Sequence, residues 1–272
     1  MKKTFLAILA LGAMATIYTS CSDKSADDNT TIAFSVISGR AAYRFDNSAR
    51  DYNRDSDIIY YDSAAIVMPT VVYNQDITLL QDSILAAAFD TVCDNHYEAM
   101  HSFFEHTAAA AGYHLTEIAN DSVGEAEAEG YTLITGNVFS LTPSILTYVV
   151  SNSTYRPIAA NGTTTDRYIT YYIPEGRIID LDYIFTPEGL KDLPGIISAK
   201  AAEMVAQLGP TDITSLPSQG NFYIDIDGRI VFVYQPCEVA SHAQGEIAVP
   251  FYDFQLSDYM TARGIALFGL DN

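Results

Sequence analysis

Apolar positions along this chain switch between two periods, and the switch divides it into strands and helices. Ile32 to Tyr73 reads as strands around a polar loop, DNSARDYNRDSD at 46–57. The segment IIYYDSAAIVMPTVVY at 58–73 has the β-branched and aromatic enrichment of strands, interrupted by Pro69. Gln75 to Ala111 then runs without Gly or Pro. There Leu80, Ile84 and Ala88 share a helical face, and Tyr97, Met100, Phe104, Ala108 and Ala111 continue it. Asp76 serves as the N-cap and Gly112 as the stop, and the spacing fits one helix or two broken near Asp94. A polar loop, NDSVGEAEAEG at 120–130, leads into strands at 131–141 and 144–152.

The last third has the clearest local grammar. Tyr168 to Ile173 alternates as a strand, and Gly176 turns it into RIIDLDYIF at 177–185. Thr186 and Pro187 open a helix whose apolar face is Ile197, Ala201, Met204, Val205 and Leu208; Gly209 and Pro210 close it. NFYIDIDGRIVFVYQ at 221–235 reads as a hairpin with Asp227 and Gly228 in a type I′ turn. Phe222, Ile224 and Ile226 alternate on one arm, and Ile230, Phe232 and Tyr234 on the other. A final strand falls at Glu246 to Phe251. Segregated helices with antiparallel hairpins make the chain α+β, in two subdomains at 32–160 and 161–272.

The first 20 residues follow a different pattern, that of a bacterial secretion signal. Lys2 and Lys3 form the charged start, and Phe5 to Ile17 an apolar run too short for a comfortable membrane span. Thr19 and Ser20 supply the small residues that a signal peptidase needs. Cys21 is then the first residue of the mature chain and the expected lipid attachment site; ordinary cleavage near Ser20 is the alternative. Residues 21–31 read as a polar tether, and Asp23, Asp27 and Asp28 resemble the acidic signal that sends Bacteroidetes lipoproteins to the cell surface. The expected location is the cell envelope, with the protein held on the outer membrane by its lipid and exposed at the surface.

Charge narrows the partners. The 14 basic residues less Lys2 and Lys3 leave 12 against 34 acidic ones, a formal −22 for the mature chain. That balance argues against nucleic acid and favours cationic partners and solubility. Cys93 and Cys237 are the other two cysteines; an exported location permits a disulfide between them, but sequence alone does not bring their Cα atoms within the ~7 Å required.

The candidate chemistry is thin. His96, His101 and His106 recur every five residues, which turns each about 140° from the last on a helix, so they do not share a metal. His101 and Glu105 suit a surface ion pair. Asp225, Asp227 and Gly228 mimic the start of a calcium loop without its further ligands, and a hairpin turn accounts for them better. Glu125, Glu127 and Glu129 read as a solvated loop. With no nucleophile elbow and no phosphate-cradling glycine loop, the expectation is a protein without catalytic residues, metal or cofactor.

The run GNFYIDIDGRIVFVYQPCEVASHAQGEIAVPF at 220–251 resembles the signature of the extracellular domain family found in the anti-sigma factor RsiV and in the non-catalytic region of the deacetylase PdaC. Phe222, Gly228, Phe232, Tyr234, Pro236, Glu238, Ala240, Gly245 and Pro250 are the matching positions. GRIIDLDYIF and SILTYVVSNSTY resemble further segments of that family, so the resemblance spans about 140–262. After Tyr155, where the family shows a Gly-Gly-Ala-His turn, this chain has RPIAANG, and Cys237 stands where an aromatic residue is usual. The resemblance implies extracellular recognition without catalysis, of a cationic protein such as lysozyme, or alternatively of cell-wall glycan as a binding or scaffold lipoprotein.

Overall fold

The computed structural model describes residues 31–45, 59–91, 95–110, 115–118, 130–156 and 161–270. The expected signal, Cys21 and most of the expected tether lie outside these residues, as do the segments 46–57 and 120–129 read as loops, Cys93, and 157–160 of the RPIAANG segment.

β1 (Ile32–Phe45) and β2 (Ile59–Val72) pair antiparallel, and α1 (Thr78–Phe89) and α2 (His96–Ala110) follow. β3 (Leu115–Ile118) returns to the outer side of β1. β4 (Gly130–Leu141), β5 (Ile145–Tyr155), β6 (Thr163–Tyr172) and β7 (Arg177–Ile179) complete a seven-stranded sheet of order β3-β1-β2-β4-β5-β6-β7. Among the described residues only β2 and β4 run parallel, and the two helices sit in the crossover that a parallel pair requires. β2 continues through Pro69 because the register steps past Thr70 there: Phe34 opposes Pro69 and Ala33 opposes Val71.

The helical stretch is two helices, broken where expected. The N-cap of the first is Ile77, not Asp76 as expected; Asp76 lies one residue earlier, its Oδ1 accepting from the Thr78 N–H at 3.0 Å and the Thr78 hydroxyl at 2.8 Å, and Asp90 ends the helix in the left-handed region at φ 53°. Leu80, Ile84, Ala88, Met100 and Phe104 are buried, but Tyr97 is exposed and takes no part in the expected face. Their core packs on Ile66, Ile134, Tyr148, Val150 and Tyr171. Gly136 makes room there: a Cβ on it would lie 2.9 Å from Ile66 Cδ1, beneath the Tyr148 ring whose hydroxyl donates to the Val67 carbonyl at 3.0 Å.

On the opposite face of the sheet lie α3 (Leu181–Ile184), α4 (Pro187–Glu203), α5 (Val205–Leu208), a small sheet of β8 (Phe222–Ile224), β9 (Ile230–Tyr234) and β10 (Ile247–Phe251), and α6 (Ala262–Leu267). β7 stops at Ile179, because Asp180 Oδ1 accepts the Tyr183 N–H at 2.7 Å and starts α3. Thr186 caps α4 as predicted, its hydroxyl accepting from the Gly189 N–H at 3.0 Å. Ile197 and Ala201 are buried, whereas Val205 is exposed after the helix is interrupted at Met204. The 221–235 hairpin is present with a different turn. Gly228 has φ +76° but neither Ile226 nor Asp227 has a positive φ, so a type I′ turn is excluded. Gly228 N–H bonds the Asp225 carbonyl at 3.0 Å and Asp225 N–H the Arg229 carbonyl at 3.0 Å, a three-residue loop with a glycine bulge. Ile226 falls in that loop and is 71% exposed rather than core.

Phe185, Leu193, Ile197, Phe232, Tyr234 and Val249 form a second core. β5 and β6 pair over ten residues across position 160, so the large sheet runs through the expected boundary and the second core builds on it through Ile145, Tyr172 and Ile179. Among the described residues no helix is long and apolar enough to cross a membrane.

Candidate functional site

β6 is paired on both sides only near its end. β7 covers Thr170 to Tyr172, which leaves the preceding edge without a strand partner among the described residues. Side-chain amides take over there. The Asp166 N–H donates to Gln235 Oε1 at 3.0 Å, and the Asp166 carbonyl accepts from Gln235 Nε2 at 2.7 Å and Asn221 Nδ2 at 2.9 Å. The Tyr168 N–H donates to Asn221 Oδ1 at 2.9 Å. Asn221 and Gln235 flank the 221–235 hairpin at its two ends, so the hairpin's own geometry fixes their spacing along β6.

Beside this amide seam lies a cleft of about 300 Å³. Its floor is Val150, Asn152, Thr165 and Arg167 of β5 and β6; one wall is Ala88, Asp90 and Phe103 from the helices, and the other is Ser218, Gln219, Asn221 and Gln235. Two of these residues hold left-handed backbones without being glycine, Asp90 at φ 53° and Gln219 at φ 58°. Such backbones cost on the order of 1–3 kcal/mol and persist where surrounding contacts enforce them. For Gln219 the enforcing residue is Glu238, whose Oε1 accepts from Ser218 N–H at 2.6 Å and Ser218 Oγ at 2.9 Å while Oε2 accepts from Gln235 N–H at 2.8 Å. One carboxylate thus sets both the 218–220 wall and the amide that seals β6.

The other signature positions lie in the second core and in turns. Phe222, Phe232 and Tyr234 are buried, with the Tyr234 hydroxyl donating to the Ser215 carbonyl at 2.9 Å. Gly228 and Gly245 supply positive φ at the ends of turns, and Pro250 sits on edge strand β10 opposite Val231. Pro236 and Cys237 occupy the centre of the turn closed by the Glu238 N–H on the Gln235 carbonyl at 3.0 Å. Cys237 is there at φ 70°, with an exposed free thiol. Cys237→Gly should therefore raise stability by about 0.5–1 kcal/mol, since glycine adopts that φ without strain; urea denaturation checks it, and equal midpoints would show that the turn is not strained.

The remaining candidates separate. His96 is partly buried and His101 and His106 are exposed, and among the described residues no three metal-ligating side chains come together. His101 Nδ1 lies 3.6 Å from Glu105 Oε1 on the surface, as the spacing predicts. Asp225 is used by its own turn, accepting from the Asp227 and Arg229 N–H groups at 2.9 Å each and from Arg229 Nε at 2.7 Å.

Two perturbed carboxyls were not visible in the sequence. Asp62 is fully buried on β2 with neither oxygen in a hydrogen bond of ordinary geometry; burial raises its pKa to about 7, against a smaller opposing pull from Thr132. Glu246, just before β10, is raised to about 7 first by burial and then by the nearby Asp166 charge. An aromatic cluster borders the same region: the Tyr168 and Tyr223 rings lie 4.5 Å apart, and the half-exposed Phe139 meets them at 5.2 and 4.8 Å.

Comparison with solved structures finds the same fold in proteins of the DUF3298 family. One from Bacteroides fragilis superposes with a TM-score of 0.62 at 16% identity, covering 89% of this chain and 98% of its own. Another, from Pseudomonas aeruginosa, gives 0.56 at 9% identity, covering 87% and 98%. No family model matches the sequence, and no curated protein does.

Proposed function

We propose that this chain is a non-catalytic binding protein of the cell envelope, lipid-anchored through Cys21, whose cleft beside β6 takes cell-wall glycan. The observation that carries the reading is the cleft's lining: the Asn152 and Gln219 amides and the Thr165 hydroxyl beside the Phe103 ring, with Asp90 and Arg167 also lining it and Asn152 Oδ1 buried without a hydrogen-bond partner. A ligand rich in hydroxyl and acetamido groups satisfies such donors and acceptors, and uncharged groups of this kind bind without the desolvation cost of an ion pair. About 300 Å³ lies at the small end of ligand sites, which suits one or two sugar rings rather than a long polymer.

A basic protein such as lysozyme is the second reading, favoured by the formal −22 of the mature chain, which would steer a cation toward it. Calorimetric titration of residues 31–272 with soluble peptidoglycan fragments, and separately with lysozyme, distinguishes them. Glycan binding should be nearly indifferent to salt and should weaken about tenfold in Gln219→Gly, which keeps the left-handed backbone and removes the amide. Binding of lysozyme alone, steeply weakened by salt and unaffected by that substitution, would put the second reading first.

A further inference from the structure

We infer that Asp166 and Glu246 form a pH-sensitive latch behind the cleft, in which the proton on Glu246 keeps the small sheet's amides docked on the free edge of β6. This regulates the site of the proposed glycan reading, but its test needs no ligand.

Asp166 is the shared part. Its backbone carries the Gln235 and Asn221 bonds that seal the cleft, while its side chain leaves on the other face of the sheet toward Glu246. Glu246 lies one residue beyond the Tyr234–Ile247 pair, level with Gln235 on the neighbouring strand. The small sheet therefore meets Asp166 twice, through an amide on its backbone and through a carboxyl beside its side chain. Asp166 Oδ1 and Glu246 Oε2 are both buried without a hydrogen-bond partner. Among the described residues the groups around them offer Glu246 no compensating cation. Tyr168 of β6 and Tyr223 of β8 face Glu246, and burial with the Glu246 charge holds both phenols above their ordinary pKa, hence neutral. The charges of Asp225 and Arg229 act on Tyr223 from the hairpin turn, paired with each other at 2.7 Å. His242 lies at the start of β6, its Nε2 3.5 Å from Thr163 Oγ1.

Loss of the Glu246 proton thus places two like charges in a partly buried seam held by amide hydrogen bonds. The sign follows from linkage. The folded pKa of about 7 lies above the unfolded value of 4.5, so the folded state binds the proton more tightly and the seam weakens as pH rises between them and up through 7.

The test is amide exchange by NMR at the Asp166 and Tyr168 N–H groups, at pH 6 and pH 8.5, corrected for intrinsic base catalysis. In the wild type their protection should fall by about tenfold, the factor equivalent to 1.4 kcal/mol, while amides in β4 keep theirs. Glu246→Gln should hold the protection constant across that range, and Asp62→Asn, which removes the other raised carboxyl, should leave the fall in place. Should Glu246→Gln not fold, the Glu246 carboxyl carbon of the wild type must titrate near 7 together with the two amide shifts. Protection unchanged in the wild type, or a fall that disappears with Asp62→Asn instead, would overturn the latch. Glycan binding that fails at both pH values while the exchange behaves as stated would overturn only the binding reading.

Discussion

Phe232→Ala should cost about 3–5 kcal/mol, the range for emptying a buried aromatic site, and lower the melting temperature by on the order of 10 °C for a domain of this size. Phe232 is fully buried at the centre of β9. Its ring lies 5.8 Å from Phe251 in an edge-to-face contact and 6.2 Å from Phe185, and Phe222 of β8 is its cross-strand partner. These neighbours come from three elements, so none can close the void without shifting the others. Simple alternation would place exposed residues on either side of it, but Val231 and Val233 are buried too, which makes β9 the central strand of a sheet covered on both faces. Differential scanning calorimetry of the two proteins is the check. A shift of one or two degrees would mean that the second core collapses around the gap.

Asp62→Asn should produce a stability that exceeds the wild type at pH 8 and approaches or falls below it near pH 4. The Asp62 carboxyl is sealed between β1 and β4, opposite Ala41 and Thr132, where the Tyr60 hydroxyl already occupies Thr132 Oγ1 at 2.7 Å. Its folded pKa of about 7 exceeds the unfolded 3.8, so the folded protein holds a proton there that the unfolded chain has released. Stability therefore falls as pH rises from about 4 to about 7 and levels off above, by an amount of up to roughly 4 kcal/mol at 1.4 kcal/mol per pH unit. The asparagine side chain is of nearly the same shape and never ionises, so it removes this slope and leaves the smaller one from Glu246. Melting curves from pH 4 to pH 9 decide it. A wild-type melting temperature that stays level or rises between pH 5 and pH 8 would show that Asp62 is ionised and paired in solution.

Local chemistry was legible in the sequence and the cleft was not. The Thr186 cap, the Gly209 stop and the pairing of the 221–235 hairpin depend on residues a few positions apart and are present, although the helix read between Thr186 and Gly209 is interrupted at Met204 and the first arm ends at Ile224, short of Ile226. The turn type depended on the backbone of Asp227, which residue identity does not fix: Asp-Gly serves a type I′ turn and a bulged loop equally. The short α3 is not marked by any period in IIDLDYIF; it depends on the Asp180 side chain, which accepts the Tyr183 N–H. Asp90, Phe103, Asn152, Arg167, Gln219 and Gln235 meet only in the folded chain, and no local period relates them. One signal was available. Asn221 and Gln235 end the two apolar arms symmetrically, and amides there can stand in for the strand that the edge of β6 lacks. Glu238 was singled out by resemblance, and the structure supplies its reason in the three hydrogen bonds to Ser218 and Gln235.

Hydrogen–deuterium exchange of residues 31–272 with and without a soluble peptidoglycan fragment tests the central claim most directly, because it reports where a ligand sits as well as whether it binds. The account predicts slowed exchange at 165–168, at 218–221 and at the end of α1 around Asp90, with β1 and β2 unchanged. Protection confined to the open sheet face that carries Phe34, Val36 and Phe139, or seen with lysozyme and never with glycan, would contradict it.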